Sequence, residues 1–472
     1  MKRFITLIVV AAGVGLALAG GCSYSVLDTT GRLINNRYSE SGVSAKFFGW
    51  CTNGLPITDK LERIINKTYI VLLQNNTELR ATGGFAGSFA KITFDRKGLK
   101  DILVKDIYQP DGQLPGHVEP PYPIQESFKQ GWWKLRDANW DADFASAAAA
   151  VSWFLEQGGE EKVDGVMAVN LDLLRGWLEV VGPMELVTFN ETVTSKNLYT
   201  LAQRYAELRV GGNKTEKREF LGAVGAALWE KTRNAKPGQL VRLAGLMIDE
   251  LSKKQILVWV KDEEVQGDFE RMRWTGRLVT GWDGSGDYLY VVDSNLGANK
   301  ADCCIDRGVR QEIEKGSPDR GKITLTLRNN NEFSAAKPPI FWGGDYIDYV
   351  RVIVPGTAVK ITAVKVNGNN LRQATEKDFL IPNSTRQKRS EDMFVIERRG
   401  DLQIIGFWLV VPAKKEGTAQ IELENGRNIP QEYKVWVKRQ PGVEFFDYEL
   451  LVNGEVRVHE TIDRDRSILI KI

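Results

Sequence analysis

Val71 to Phe85 reads VLLQNNTELRATGGF, an apolar run that breaks off into Asn75, Asn76, Glu78 and Arg80 and then meets Gly83 and Gly84. The uninterrupted apolar residues Tyr69 to Leu73, with turn formers behind them, fit a strand buried on both faces better than a half-exposed one. Such a strand implies α/β layering, and open α/β sheets take ligands beyond the carboxyl ends of their strands. Gln74 to Gly84 is therefore expected on the functional edge, with an ordinary polar loop as the plain alternative.

The chain around this stretch alternates strands and helices. ITDKLERIINKT is a helical lead-in, Ser88 to Phe94 and Leu99 to Ile107 form a hairpin around the turn Asp95 to Gly98, and the proline- and glycine-rich Gln109 to Tyr122 reads as a long loop. Asp141 is the expected cap of a helix running to Gln157, which puts Arg136 and Asp137 just ahead of a helix start. Val163 to Asn170 is a second buried strand and Leu171 to Val180 a helix ended by Gly182-Pro183. Helices follow at Ser195 to Leu208, Thr215 to Lys231 and Pro237 to Ser252, and then a strand at Ile256 to Val260. From about Gly286 the pattern changes to period two with turn punctuation, as in a β-sandwich. The expected organisation is a leader at 1–22, a tether at 23–60, an α/β domain at 61–270 and an all-β, sandwich-like domain at 286–472.

Charge and cysteine content narrow the function. The 472 residues carry 63 basic and 61 acidic side chains without a long basic run, which argues against nucleic acid as the main partner. His117 and His459 are the only histidines, too few for a histidine-rich metal site. Lys2 and Arg3 precede an uncharged run from Phe4 to Gly21 that suits a bacterial export signal, and LALAGGC places Cys22 where a lipoprotein signal puts its lipidated cysteine. Lipidation of Cys22 and an uncleaved signal anchor are both open; either holds the chain on the outer face of the membrane. Cys51, Cys303 and Cys304 leave an odd thiol, with free thiols at Cys303 and Cys304 favoured over a vicinal disulfide.

LLQNNTELRATGGFAGS, DIYQPDGQLPG, RDANWDADF, VDGVMAVNLDLLRGWLEVVGPMEL and VVDSNLGANKAD together resemble an uncharacterised bacterial envelope family, a domain of unknown function numbered 4012, from about Lys67 onward. More distantly, their order is similar to the LytR-CpsA-Psr phosphotransferases, which move glycopolymers from a polyprenyl pyrophosphate carrier to the cell wall. That resemblance implies a three-layer α/β/α domain, arginines clamping a pyrophosphate, and aspartates holding a divalent cation. Arg80 falls at the family's first arginine, and Asp106 and Asp111 fall near its arginine-aspartate loop. DIYQPDG lacks the loop arginine, a place Arg136 is expected to fill.

The chemistry asks for such residues. Guanidinium forks and cation-bound carboxylates neutralise a pyrophosphate while a phosphate leaves, and a carboxylate takes the proton of an attacking hydroxyl. Arg80, Arg136, Glu78 and Asp137 are the expected catalytic residues, and Asp106, Asp111 and Asp137 the expected Mg2+ ligands. Each has a structural competitor as turn former, cap or ion pair. Trp132, Trp133 and Trp140 flank Arg136, with core packing as their plainest role. Asp293, Asn295, Asn299 and Lys300 read as a turn fixing the β-domain to the α/β domain. The expectation is an extracytoplasmic envelope phosphotransferase acting on polyprenyl-linked glycopolymers, with a non-catalytic protein that binds glycan, lipid-linked precursor or a protein partner as the alternative.

Overall fold

The structure, a computed structural model, describes Arg32 and residues 61–207, 216–278, 282, 286–335, 343–356, 359–379, 389–425 and 430–471. The expected leader with Cys22, the tether and Cys51 lie outside the described residues. None of the described helices is long and apolar enough to cross a membrane.

The N-terminal region is mixed α/β. Its sheet comprises β1 (Thr68–Asn75), β2 (Phe85–Asp95), β3 (Gly98–Asp106), β4 (Gly165–Asn170) and a last strand, β7 (Ile256–Val260), reached after the small hairpin β5 (Met184–Leu186) and β6 (Glu191–Val193). The spatial order is β3-β2-β1-β4-β7, with β1 parallel to β4 and every other pairing antiparallel. β1 is central because its alternate residues each find an apolar layer. Ile70 and Leu72 pack with Phe144, Ala148 and Val151 of helix α1 (Phe144–Gln157), while Tyr69 on the opposite face joins Leu173 of α2 (Leu171–Val181) and Val265 and Phe269. Helices α3 (Leu198–Glu207), α4 (Glu216–Arg233), α5 (Pro237–Ser252) and α6 (Glu263–Arg271) complete the region. A third core, from Leu178 through Leu198, Tyr205, Phe220 and Leu243, joins α2, α3, α4 and α5.

Two local expectations are corrected. The cap of α1 is Asp143, whose carboxylate accepts from Ser146 N at 3.3 Å and from Leu278 N at 3.1 Å. Asp141 instead forms a bidentate pair with Arg399 at 2.7 and 2.8 Å, so a carboxylate two residues too early is taken by a distant arginine. The loop after β3 is not wholly irregular. It opens with a helical turn, Tyr108–Asp111, in which Pro110 falls within the first turn, where no intrahelical N–H is required, and it closes on a helix at Tyr122–Phe128.

The C-terminal region is rich in strands, paired into two seven-stranded sheets. One runs Asn369–Asn370, Val359–Val366, Glu416–Asn425, Asp319–Asn329, Ile305–Glu314, Phe446–Val452, Glu455–Ile462. The other runs Arg372–Gln373, Met393–Arg399, Leu402–Val411, Tyr346–Pro355, Asp287–Val292, Glu432–Lys438, Arg466–Lys471. Their facing side chains, among them Val309, Ile323, Ile421, Val352, Ile405 and Phe407, form one core. The second sheet is covered on its other face too, which explains why Leu402 to Leu409 is buried without a break. There Tyr288, Tyr290 and Ile353 meet Ala81, Ala142 and Leu278, and Tyr349 and Trp408 meet Tyr122, Phe128 and Trp140.

This seam is polar as well as apolar, and several of its buried polar groups find partners across it. Arg351 lies 4.3 Å over the Trp140 ring and donates to Trp140 O at 2.8 Å. Glu126 accepts from Ser390 Oγ at 2.7 Å and Trp408 Nε1 at 3.1 Å, and buried Lys254 pairs with Asp465 and donates to Arg439 O. The segment after Asp287–Val292 fastens the two regions as expected of it. Asn295 N donates to Leu79 O at 3.0 Å, Asp302 N donates to Thr77 O at 3.1 Å, and the Asn295 amide holds Asn299.

Candidate functional site

A cleft of about 820 Å³ opens at the carboxyl ends of β1 and β4, the parallel pair. Its construction starts in the turn after β1. Asn75 Oδ1 accepts from both Thr77 N and Thr77 Oγ1, which swings the chain off the sheet. The return passes so close to the strand that a Cβ on Gly84 would sit 2.7 Å from Asn76 N, and Gly83 adopts φ +127° beside the Gln74 and Asn170 side chains. Glu78 and Arg80, carried on this turn, line the cleft with Arg136 and Asp137 from the segment before α1. Leu171, Leu174, Ala202 and Leu221 of α2, α3 and α4 supply an apolar wall.

Arg80 is buried and held from several sides. One Nη donates to Glu78 Oε1 at 3.0 Å, the other to the carbonyls of Leu79 and Asn295, and Phe85 and Phe128 lie under the guanidinium at 5.6 and 5.7 Å. Arg136 pairs with Asp111 at 2.7 Å and lies 4.5 Å over the Tyr108 ring. Asp137 is buried and accepts from Gln130 Nε2 at 3.1 Å. Burial raises the carboxyl groups of both Glu78 and Asp137 above the ordinary range, an effect opposed by Arg80 in each case and at Glu78 also by Lys300. Tyr199, on α3, bonds to Thr77 Oγ1 at 2.6 Å; burial pushes its hydroxyl up to about 12, so it stays protonated and serves as a donor. Five polar atoms of the lining are buried without a hydrogen-bond partner: Gln74 Oε1, Arg80 Nε, Ser88 Oγ, Arg136 Nε and Asn170 Oδ1. Such atoms usually answer to water or a ligand.

The fold thus gathers Arg80, Arg136, Glu78, Asp137 and Asp106 on one cleft. Asp111 stands behind it as the partner of Arg136. Each of the three aspartates has a partner within the protein: Asp106 accepts from Tyr108 N at 2.9 Å, Asp111 pairs with Arg136, and Asp137 accepts from Gln130. Among the described residues, no three His, Cys, Asp or Glu side chains are grouped to hold a metal. His117 is an exposed loop residue bonded to Glu119 at 3.0 Å and set edge-on to Trp132, whereas Trp140 packs in the seam. Cys303 and Cys304 are free thiols.

Sequence reasoning missed Lys300 as a lining residue, although SNLGANKAD was recognised as a motif. The loop that fastens the β-region also carries Lys300 into the cleft, so both regions build the site. Tyr108, within DIYQPDG, lines the cleft too, as do Gln130 and Tyr199, which nothing in their local sequence marks.

Parts of the chain are similar to two solved structures, a putative nutrient binding protein from Legionella pneumophila and an M1 zinc metallopeptidase from Deinococcus radiodurans. The first is 8% identical, covers 31% of this chain and 50% of its own, and has a TM-score of 0.18. The second is 8% identical, covers 36% and 39%, and has a TM-score of 0.17. The chain spans half or less of either protein, and scores this low bear on neither fold nor chemistry. No curated protein matches. Residues 66–206, which hold β1, the Arg80 turn, Arg136, Asp137 and β4, match the family described as "Protein of unknown function (DUF4012)".

Proposed function

We propose that this is an extracytoplasmic, membrane-attached envelope protein that transfers a glycosyl phosphate from a polyprenyl pyrophosphate carrier to a cell-wall polymer, on an α/β/α domain like that of the LytR-CpsA-Psr enzymes. The observation that carries the reading is the division of the cleft's lining between charged residues, Arg80, Arg136 and Lys300 with Glu78 and Asp137, and apolar ones, Leu171, Leu174, Ala202 and Leu221. A charged head on a long hydrocarbon has that same division. Arginine forks and a lysine suit the two anionic phosphates. In the transfer, the acceptor hydroxyl oxygen bonds to the glycan-side phosphorus while the bridging P–O bond breaks. Polyprenyl phosphate leaves, and the proton passes to the Glu78 carboxylate, whose burial makes it a stronger base than an ordinary glutamate. Arg80's donation to the backbone at Leu79 and Asn295 favours a second reading, in which the same cleft binds the lipid-linked precursor without turning it over.

Binding has a pH signature. As pH falls through the raised range of Glu78 and Asp137, both carboxylates take up protons and two negative charges leave the neighbourhood of Arg80. A pyrophosphate diester stays fully ionised throughout and should bind about tenfold tighter at a pH below the titration of these carboxylates than at one above it, one tenfold step corresponding to about 1.4 kcal/mol. Isothermal titration with a short isoprenoid pyrophosphate diester reads this directly. Lys300→Met should weaken binding at both pH values, and Glu78→Gln should flatten the pH dependence. Affinity independent of pH, or unaffected by Lys300→Met, rules out this charge arrangement as the binding site.

A further inference from the structure

A transferase needs room for two substrates, and a second cleft of about 800 Å³ adjoins the first. The two share Leu171 and Tyr199 in their walls, and the hydrogen bond from Tyr199 to Thr77 stands between them. On the far side the lining passes from α2 and α3 to the β-region, ending at Val443 and Phe445.

Its arginines are paired. Arg175 pairs with Asp172 at 3.1 Å, Arg328 with Glu416 at 3.2 Å, and Arg307 with Asp302 and Asp293. Lys196, Asp306, Glu444 and Asp447 line it as well, so acidic side chains outnumber basic ones and no positive field is left to attract a polyanion. What the cleft offers instead is a set of short hydrogen-bonding side chains, Asn76, Thr77, Ser195 and Thr200, together with the aromatic ring of Phe445. Phe445 is 52% exposed, although large aromatic side chains are generally buried. A sugar ring needs both features, an apolar C–H face to lie on an aromatic ring and hydroxyls to be hydrogen-bonded around its edge.

We infer that the second cleft binds the acceptor, as a neutral, hydroxyl-rich glycan strand stacked on Phe445, with its reacting hydroxyl directed past Tyr199 toward Glu78. This inference rests on the transfer reading above and names its second substrate class. Tyr199, whose one proton goes to Thr77, offers its hydroxyl oxygen as the acceptor that positions that hydroxyl.

The test titrates the full chain with two neutral oligosaccharides, tetra-N-acetylchitotetraose and maltotetraose, and separately with the isoprenoid pyrophosphate diester. At least one oligosaccharide should bind. Phe445→Ala should weaken it about tenfold, the loss of one stacking contact of about 1.4 kcal/mol, while the melting temperature and the affinity for the pyrophosphate diester stay unchanged. Arg136→Gln should do the reverse, weakening the diester and sparing the oligosaccharide. Failure of both oligosaccharides to bind overturns the inference, as does binding that survives Phe445→Ala or is lost in Arg136→Gln. Failure of the diester alone strikes the first cleft and leaves glycan binding in the second intact.

Discussion

Arg80→Ala should lower the unfolding free energy by about 3–5 kcal/mol, the range for removing one member of a buried, hydrogen-bonded charge pair, and should abolish binding of a pyrophosphate diester. The size follows from what the side chain holds. Glu78 would be left with its carboxylate in a buried site, the Asn295 carbonyl would lose the Arg80 donor, and the Leu79 carbonyl would keep only Asn295 N. Those carbonyls belong to different regions, so the loss falls on the seam as well as on the cleft. Chemical denaturation of Arg80→Ala, Glu78→Ala and the double variant separates the contributions. The double variant leaves no unpaired buried charge and should be less destabilised than the sum of the singles by more than 1 kcal/mol. A loss below about 1 kcal/mol in Arg80→Ala would make it equivalent to a surface arginine.

Gly442→Ala should be nearly as damaging without touching a charge. Gly442 adopts φ +83°, and a Cβ there would overlap the carbonyl oxygen of Gly83 and lie 2.7 Å from its carbonyl carbon and Cα. Both sides of this approach are backbone, so no rotamer can relieve it. Gly442 also accepts from Asn76 Nδ2 at 3.1 Å, in the same turn that carries Glu78 and Arg80. The expected cost is about 2–5 kcal/mol, combining left-handed backbone strain with overpacking. Gly454 is the control, since it has φ +81° with nothing within 4 Å of its Cβ position. Gly454→Ala should cost only the strain, about 1 kcal/mol. Equal melting temperatures for the two variants would contradict the contact between Gly83 and Gly442.

Much of the first region is legible because its signals are local. A five-residue apolar run marks β1, Asp95 and Gly98 mark the hairpin turn, and the Gly83-Gly84 pair marks a turn that only glycine can make. Arg136 and Asp137 could be placed near Arg80 because strand order brings their loops to one sheet edge. The unread part depends on partners far along the chain. Asn295, which holds Arg80, is 215 residues away from it, and Trp408, which caps Glu126, is 282 residues away from its acceptor. The choice between Asp141 and Asp143 as cap is set by Arg399, which no helix rule can see. In the same way, the unbroken burial of Leu402 to Leu409 is a signal that its sheet is covered twice, but period-two reading treats it as one face of a free-standing sandwich.

The transfer proposed for this cleft requires that it move phosphate. The direct measurement supplies purified protein with a polyprenyl pyrophosphate-linked oligosaccharide and a glycan acceptor, with and without Mg2+, and follows polyprenyl phosphate release together with label transferred to the acceptor. Wild-type protein should release both products in equal amounts, and Arg136→Gln, whose Arg80 seam is intact, should be slower by roughly a hundredfold, the scale of losing one charge-stabilising donor. No product under either condition, or equal rates for wild type and Arg136→Gln, would contradict transfer at this cleft.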